Sequence, residues 1–203
     1  MVNAFGLNTS WTNGSYFNGS GSFNTWNGKE TIIPTVNLGN TYAGISNELG
    51  IQFLEFGLKD ENLRFSTIQL QSSEMLENLL ENLTAARLDN LAKNARYAFT
   101  NLSLPAIPAA EKISLKPVLS SHGLSSVFSQ GADLSPSFNS TNRSVSAMEQ
   151  TAMLHFSQPE LQSSEFTNSD LQLKAINLPF LYFVTEKQTG SILFAGYYLS
   201  PAE

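Results

Sequence analysis

The stretch that most limits the fold is the last one, Pro179 to Leu199, "PFLYFVTEKQTGSILFAGYYL". Two apolar, aromatic-rich runs flank a short polar turn from Glu186 to Gly190. Runs of this kind around a Gly-containing turn specify an antiparallel hairpin. Both arms are almost continuously apolar, so the hairpin is expected to be buried on both faces. A chain that ends this way must supply further strands and an apolar layer to cover them.

The upstream sequence offers such strands. "VNAFGL" reads as a short buried strand, and "ETIIPTV" as a strand whose Pro34 points to an edge position. "YAGISNELGIQFLEFGL" and "LRFSTIQL" read as arms of a meander, and "YAFTNLSLPAI" as a strand ending at Pro105. From Asn8 to Gly28 the chain is dense in Asn, Gly and Ser, which favours turns. Trp11, Tyr16, Phe17, Phe23 and Trp26 would pin those turns to a core.

The clearest helical signal is "SSEMLENLLENLTAARLDNLAKN". Ser72 or Ser73 can cap a first helix, with Met75, Leu76, Leu79, Leu80 and Leu83 on its apolar face. Thr84 can start a second, with Leu88 and Leu91 facing inward. "LKPVLSSHGLSSVF" reads as a short helix stopped near Gly123, followed by a second apolar turn, whereas "SAMEQTAMLHF" fits helix or strand equally. The expected fold class is α+β, mostly antiparallel sheet with a few helices. No internal repeat and no dividing linker is visible, so residues 1–203 read as one domain.

Composition excludes several functions. The chain has 203 residues, 41% hydrophobic and only 14% charged, with a net charge of −6. An acidic chain without Lys/Arg runs is a poor partner for nucleic acid. Without cysteine there are no disulfides, thiolate nucleophiles or Cys-based zinc sites. The longest apolar run, "LPFLYFV", is too short to span a bilayer, and "MVNAFGLNTSW" shows no signal-peptide pattern. His122 and His155 are far apart and lack an H-E-x-x-H setting, so no metal is expected. No G-x-S-x-G elbow occurs, Gly28-Lys29 lacks the following Ser/Thr of a phosphate loop, and "GSGSFN" fails the dinucleotide fingerprint at its third glycine. Neither enzyme chemistry nor a cofactor is expected. Asn8, Asn13, Asn18, Asn82, Asn101, Asn139 and Asn142 each begin an N-x-S/T triplet and could accept glycans in a secreted chain. A sequence this rich in Asn, Ser and Thr also produces such triplets by chance.

One stretch remains without a role: "TAMLHFSQPELQSSEFTNSDLQ", Thr151 to Gln172, which turns polar at Ser157 and stays polar to its end. Polar stretches of this length are uncommon inside compact domains unless they work. A collinear set of motifs gives it context. "NLPFLYFVTEKQTGSILFAGYYLSP" resembles the closing segment of the serpins, the serine protease inhibitor superfamily. "MVNAFGLNTSW" is similar to that family's third central strand, "FNTWNGKETIIPTV" to its Phe…Asp-Gly-Lys-Glu segment, "LENLLENLTAARLDNL" to its paired helices, "LSLPAI" to its Leu-Pro strand and "VFSQGADLS" to its Phe-Ser-x-Gly-Ala-Asp-Leu-Ser. The resemblance covers about the C-terminal half of the family domain. It implies a truncated chain or a fragment, with an open edge on the central sheet where absent strands would pair. It also implies an extracellular protein that meets a serine or cysteine protease, and that could pair with its own missing N-terminal half or with another copy.

The same resemblance makes residues 157–172 the equivalent of the reactive-centre loop. In inhibitory serpins a protease cuts this loop, which then inserts as a new central strand and traps the protease. Insertion demands a hinge of Gly and small residues. Here the equivalent positions carry Gln158, Pro159, Glu160, Leu161, Ser163 and Glu165. Pro159 removes a backbone donor, and Leu161, Ser163 and Glu165 would face inward, where an unpaired carboxylate costs several kcal/mol. The loop is also shorter than in inhibitory members, and Asn168-Ser169 is a nominal scissile bond. The implied reading is a non-inhibitory family member. The alternatives are a genuine suicide inhibitor lacking its N-terminal half, and a secreted β-rich binding module. Asn3 aligns with an asparagine of the family's sheet-opening region, Gln150 stands where its histidine partner is usual, and Trp11 aligns with the tryptophan at the top of the sheet.

Overall fold

The computed structural model describes residues 1–12, 17–48, 50–107, 110–135, 143–157 and 173–200. Their contacts form two compact units, Met1–Asn8 with Pro108–His155 and Thr9–Ile107 with Phe156–Glu203.

The larger unit is built on one mostly antiparallel sheet. β2 (Phe17–Asn24) pairs with β3 (Glu30–Glu48), which also pairs with β4 (Ile51–Gly57); β5 (Leu63–Gln69), β10 (Phe180–Glu186) and β11 (Ile192–Tyr198) continue the order on that side. On the other side β3 pairs with β6 (Arg96–Pro105), beside which β9 (Leu173–Ala175) runs parallel. The meander and the terminal hairpin form as predicted.

The helices form where their caps are. Ser72 accepts from the Met75 amide at the start of α1 (Ser73–Asn82), and Thr84 accepts from Arg87 at the start of α2 (Ala85–Lys93). Each hydroxyl satisfies an amide that has no partner within its own helix. Leu79 and Leu91 then pack with Ile51, Phe53, Ile68, Leu70, Leu181 and Phe183 in one apolar core, with Leu76, Leu83 and Leu88 against its margin. Leu80, expected on that face, is exposed.

Three further expectations are corrected. The Asn/Gly/Ser-rich region holds the strand β2. Its glycines fit because a Cβ at Gly19 would lie 2.9 Å from Asn37 Nδ2, and one at Gly21 2.9 Å from Thr35 Cγ2. Pro34 does not mark an edge: it lies within β3, opposite Ser20 of β2. It is tolerated because the Pro34 carbonyl accepts from Ala106 just past Pro105, where β6 ends and no ladder donor is required. Finally, β11 is the last strand of the sheet and is largely exposed, whereas β10 is buried. A strand flanked on one side only keeps one flank open whatever its composition.

In the smaller unit β8 (Glu149–Phe156) lies between β1 (Val2–Thr9) and β7 (Ala110–Ser114). The ambiguous "SAMEQTAMLHF" therefore ends in a strand, and β7 is a strand that periodicity did not reveal. β1 is a strand as read, but Val2 to Gly6 are exposed rather than buried. It occupies the edge of a three-stranded sheet among the described residues. α3 (Leu115–Leu119) runs into a wide turn, Ser120–Leu124, in which the helical backbone breaks near Gly123 as expected; its φ of 91° disfavours other residues.

Candidate functional site

The segment of interest begins where β8 ends, so the site is built from β8 and its neighbour β1. Glu149 donates its amide to the Met1 carbonyl at 3.1 Å, and Ser157 donates to the Thr9 carbonyl at 2.8 Å. The separation in sequence is the same at both ends, which makes the two strands parallel and in unbroken register. Among the described residues no strand lies between them.

In the smaller unit, Asn3 and Gln150 stand on these two strands, but their side chains share no hydrogen bond among the described residues. A side-chain bond forms further along: His155 Nδ1 lies 3.1 Å from Asn8 Oδ1. Asn8 is five residues beyond Asn3, so its side chain leaves the opposite face of β1. Nearer the start of β8, Lys112 Nζ pairs with Glu149 at 3.0 Å, an exposed ion pair of small energetic consequence.

In the larger unit, Trp11 is buried. Its ring stacks on Phe156 at a centroid distance of 3.9 Å and 11° between planes, and meets Phe65 edge-on at 5.3 Å. Trp11 Nε1 has no hydrogen-bond partner among the described residues, so packing alone orients the indole. Ser157 Oγ donates to the Thr9 carbonyl at 3.0 Å and lies 3.3 Å from Ser10 Oγ. Sequence reading picks out Trp11, and Ser157 as the start of the polar stretch; it passes over Phe156, although the alternation Leu154–Phe156 could flag the ring.

The hinge residues Gln158, Pro159, Glu160, Leu161, Ser163 and Glu165, and the Asn168-Ser169 bond, lie outside the described residues, as do Asn13, Asn139 and Asn142. Of the other N-x-S/T sites, Asn8 is engaged with His155 and Asn18 belongs to β2. Asn101 sits in β6 between Asn40 and Leu173, and Asn82 is exposed at the end of α1, donating to the Asn78 carbonyl at 2.9 Å. Among the described residues no group of three or more His, Cys, Asp or Glu side chains is placed to hold a metal ion, and no helix is long and apolar enough to cross a membrane.

A family model described as serpin (serine protease inhibitor) matches residues 1–201. The chain belongs to the serpin family. Serpin B4 of Homo sapiens is 26% identical over 99% of this chain and 55% of its own length. Iripin-2 of Ixodes ricinus is 25% identical over 74% of this chain and 40% of its own length. The chain spans about half the length of the curated relatives it matches. Among solved structures, native protease nexin-1 with heparin shares the fold with a TM-score of 0.78 at 19% identity, over 98% of this chain and 56% of that one. The serpin architecture, mixed sheets with few helices, is thus that of the described residues.

Proposed function

We propose that this serpin-family chain does not trap proteases by loop insertion, and that residues 157–172 are cut as an ordinary substrate. The observation that carries the reading is the composition of residues 158–165, which would have to fit between β1 and β8. A segment that inserted between them would have to break the bonds from Glu149 to Met1 and from Ser157 to Thr9. It would have to replace them with a strand bearing Pro159, which has no donor, and Glu165, whose burial without a partner costs several kcal/mol. Nothing in Gln158–Leu161 offers the small side chains or glycine that would offset this.

Among the described residues β1 is the edge of its three-stranded sheet, a position at which another strand can add. Pairing of that edge, with a segment of a longer form of the protein or with a second copy, belongs to the same proposal. So does an extracellular location, which rests on the family resemblance. The second reading is a working suicide inhibitor, favoured by the description of the matching family as serine protease inhibitors.

Incubation with a panel of serine and cysteine proteases separates the two. The expected result is a nick within residues 157–172, no SDS-resistant complex and no rise in melting temperature after cleavage. A covalent complex, or a cut form markedly harder to melt, establishes the inhibitory reading instead.

A further inference from the structure

Three aromatic rings stand in the open on two strands of the large sheet that are each flanked on both sides. Tyr42 of β3 is opposite Phe99 of β6, and Tyr97 stands two residues before Phe99 on the same face. The Tyr42 centroid lies 5.2 Å from Phe99 and 5.6 Å from Tyr97, with 57° and 30° between planes. Phe99 is 58% exposed and Tyr42 54%. A contiguous cluster of rings in water marks a contact surface. The platform is also stiff at one end: the Tyr97 hydroxyl donates to Glu55, and Arg64 Nη1 donates to that hydroxyl at 3.4 Å.

Asn101 shares this face. It follows Phe99 by two residues, about 6.8 Å along the strand. It is opposite Asn40, is only partly buried, and opens the triplet Asn101-Leu102-Ser103. A pyranose fits such a surface, because its C–H groups present an apolar face to a ring while its hydroxyls stay in water. We propose that Asn101 is a glycan acceptor, and that the first sugar of its glycan lies on Phe99 with Tyr42 and Tyr97 continuing the platform. In the transfer, Asn101 Nδ2 attacks the anomeric carbon of a lipid-diphosphate-linked oligosaccharide. The C1–N bond forms, the C1–O bond breaks, the lipid diphosphate leaves with the electron pair, and the amide loses one proton. Ser103, which the triplet requires, is buried in β6. Transfer therefore precedes folding, while this segment is still extended and open. The proposal rests on the reading above only for the extracellular location.

The test is the full chain secreted from eukaryotic cells behind a removable leader. Peptide mass spectrometry is expected to find a glycan on Asn101 in most molecules, and a bare Asn101 overturns the proposal. Packing is read by melting. The secreted protein is expected to melt about 2–4 °C above Asn101→Gln made the same way. Phe99→Ala should abolish that difference, whereas Phe99→Tyr keeps the ring and should preserve it. Equal melting of the parent and Asn101→Gln, or a difference that survives Phe99→Ala, refutes the stacking. If Phe99→Ala does not fold, trimming decides. An endoglycosidase that leaves one sugar on Asn101 should keep most of the shift, and loss of the shift on trimming overturns the placement of that first sugar. Sedimentation of a dimer that Phe99→Ala returns to monomer also overturns the proposal, because a second copy then holds the face. The two proposals fail separately. A protease trapped covalently removes the substrate reading and leaves the glycan on Asn101 standing. A native protein confined to the cytosol removes the location and the natural modification, and equal melting removes the packing whatever the protease panel shows.

Discussion

Tyr97 lies across Gly44: a Cβ added to that glycine would sit 2.7 Å from the ring's Cζ. The two residues are cross-strand partners on β6 and β3, and the ring uses the space to reach over to β4, where its hydroxyl donates to Glu55 Oε1 at 2.5 Å. Arg64 Nη1 holds the same oxygen at 2.6 Å. Gly44→Ala must push the ring away and break this arrangement. The expected cost is about 1–3 kcal/mol, the range for inserting a methyl group where no space exists. Thermal melts in a double-mutant cycle with Tyr97→Ala check it, since removing the ring should make the alanine nearly harmless. Equal costs in both backgrounds would count against the contact.

The phenol of Tyr97 is held in its neutral form. Partial burial is the main cause, followed by the hydrogen bond to Glu55 and that carboxylate's charge, against the smaller opposing effect of Arg64; its pKa is pushed up to about 12. An unfolded tyrosine ionises near about 10. The stability contributed by neutral Tyr97 is therefore complete below about pH 10 and is lost as pH rises through its folded value. Absorbance titration of the phenolates should show a late-titrating component that Tyr97→Phe diminishes. If that variant's titration is unchanged, the assignment is wrong.

Glu186 begins the hairpin turn and stitches it shut. Its carboxylate accepts from Thr189 Oγ1 at 2.6 Å, from the Thr189 amide at 2.7 Å and from the Gln188 amide at 2.9 Å. These bonds, the hydroxyl first, lower its pKa below the ordinary glutamate range. The contribution is present above the ordinary value, about 4.3, and fades as pH falls through the depressed folded value. Carbon-13 titration of the side chain should place its midpoint below the ordinary glutamate value. Glu186→Gln should make the turn amides insensitive to acid, and a midpoint at the ordinary value would contradict the geometry.

Thr84 starts α2, and Leu91 of that helix is part of the core. Thr84→Ala is expected to cost about 1 kcal/mol and Thr84→Ser much less, because only the hydroxyl caps the Arg87 amide. Urea denaturation measures both. An alanine variant as stable as the parent would show that tertiary packing alone holds the helix.

The family and most of the elements were legible in the chain itself. Ser72 and Thr84 announced two helices, Gly123 a stop, and "PFLYFVTEKQTGSILFAGYYL" a hairpin, because caps, turns and alternation are carried by residues a few positions apart. What sequence could not reveal is which side of each strand is occupied. Gly19 and Gly21 read as turn formers until β3 stands opposite them, and Pro34 reads as an edge until β2 covers it. β10 and β11 are both apolar, yet among the described residues only β10 has a strand on each side. At the candidate site, Trp11 was visible by resemblance. Its stacking on Phe156, the hold of Thr9 on Ser157 and the bond from His155 to Asn8 exist only once strands about 147 residues apart lie side by side. Local chemistry decides what a segment can become, and tertiary pairing decides what it touches, since contact energies depend on neighbours that no short window of sequence contains.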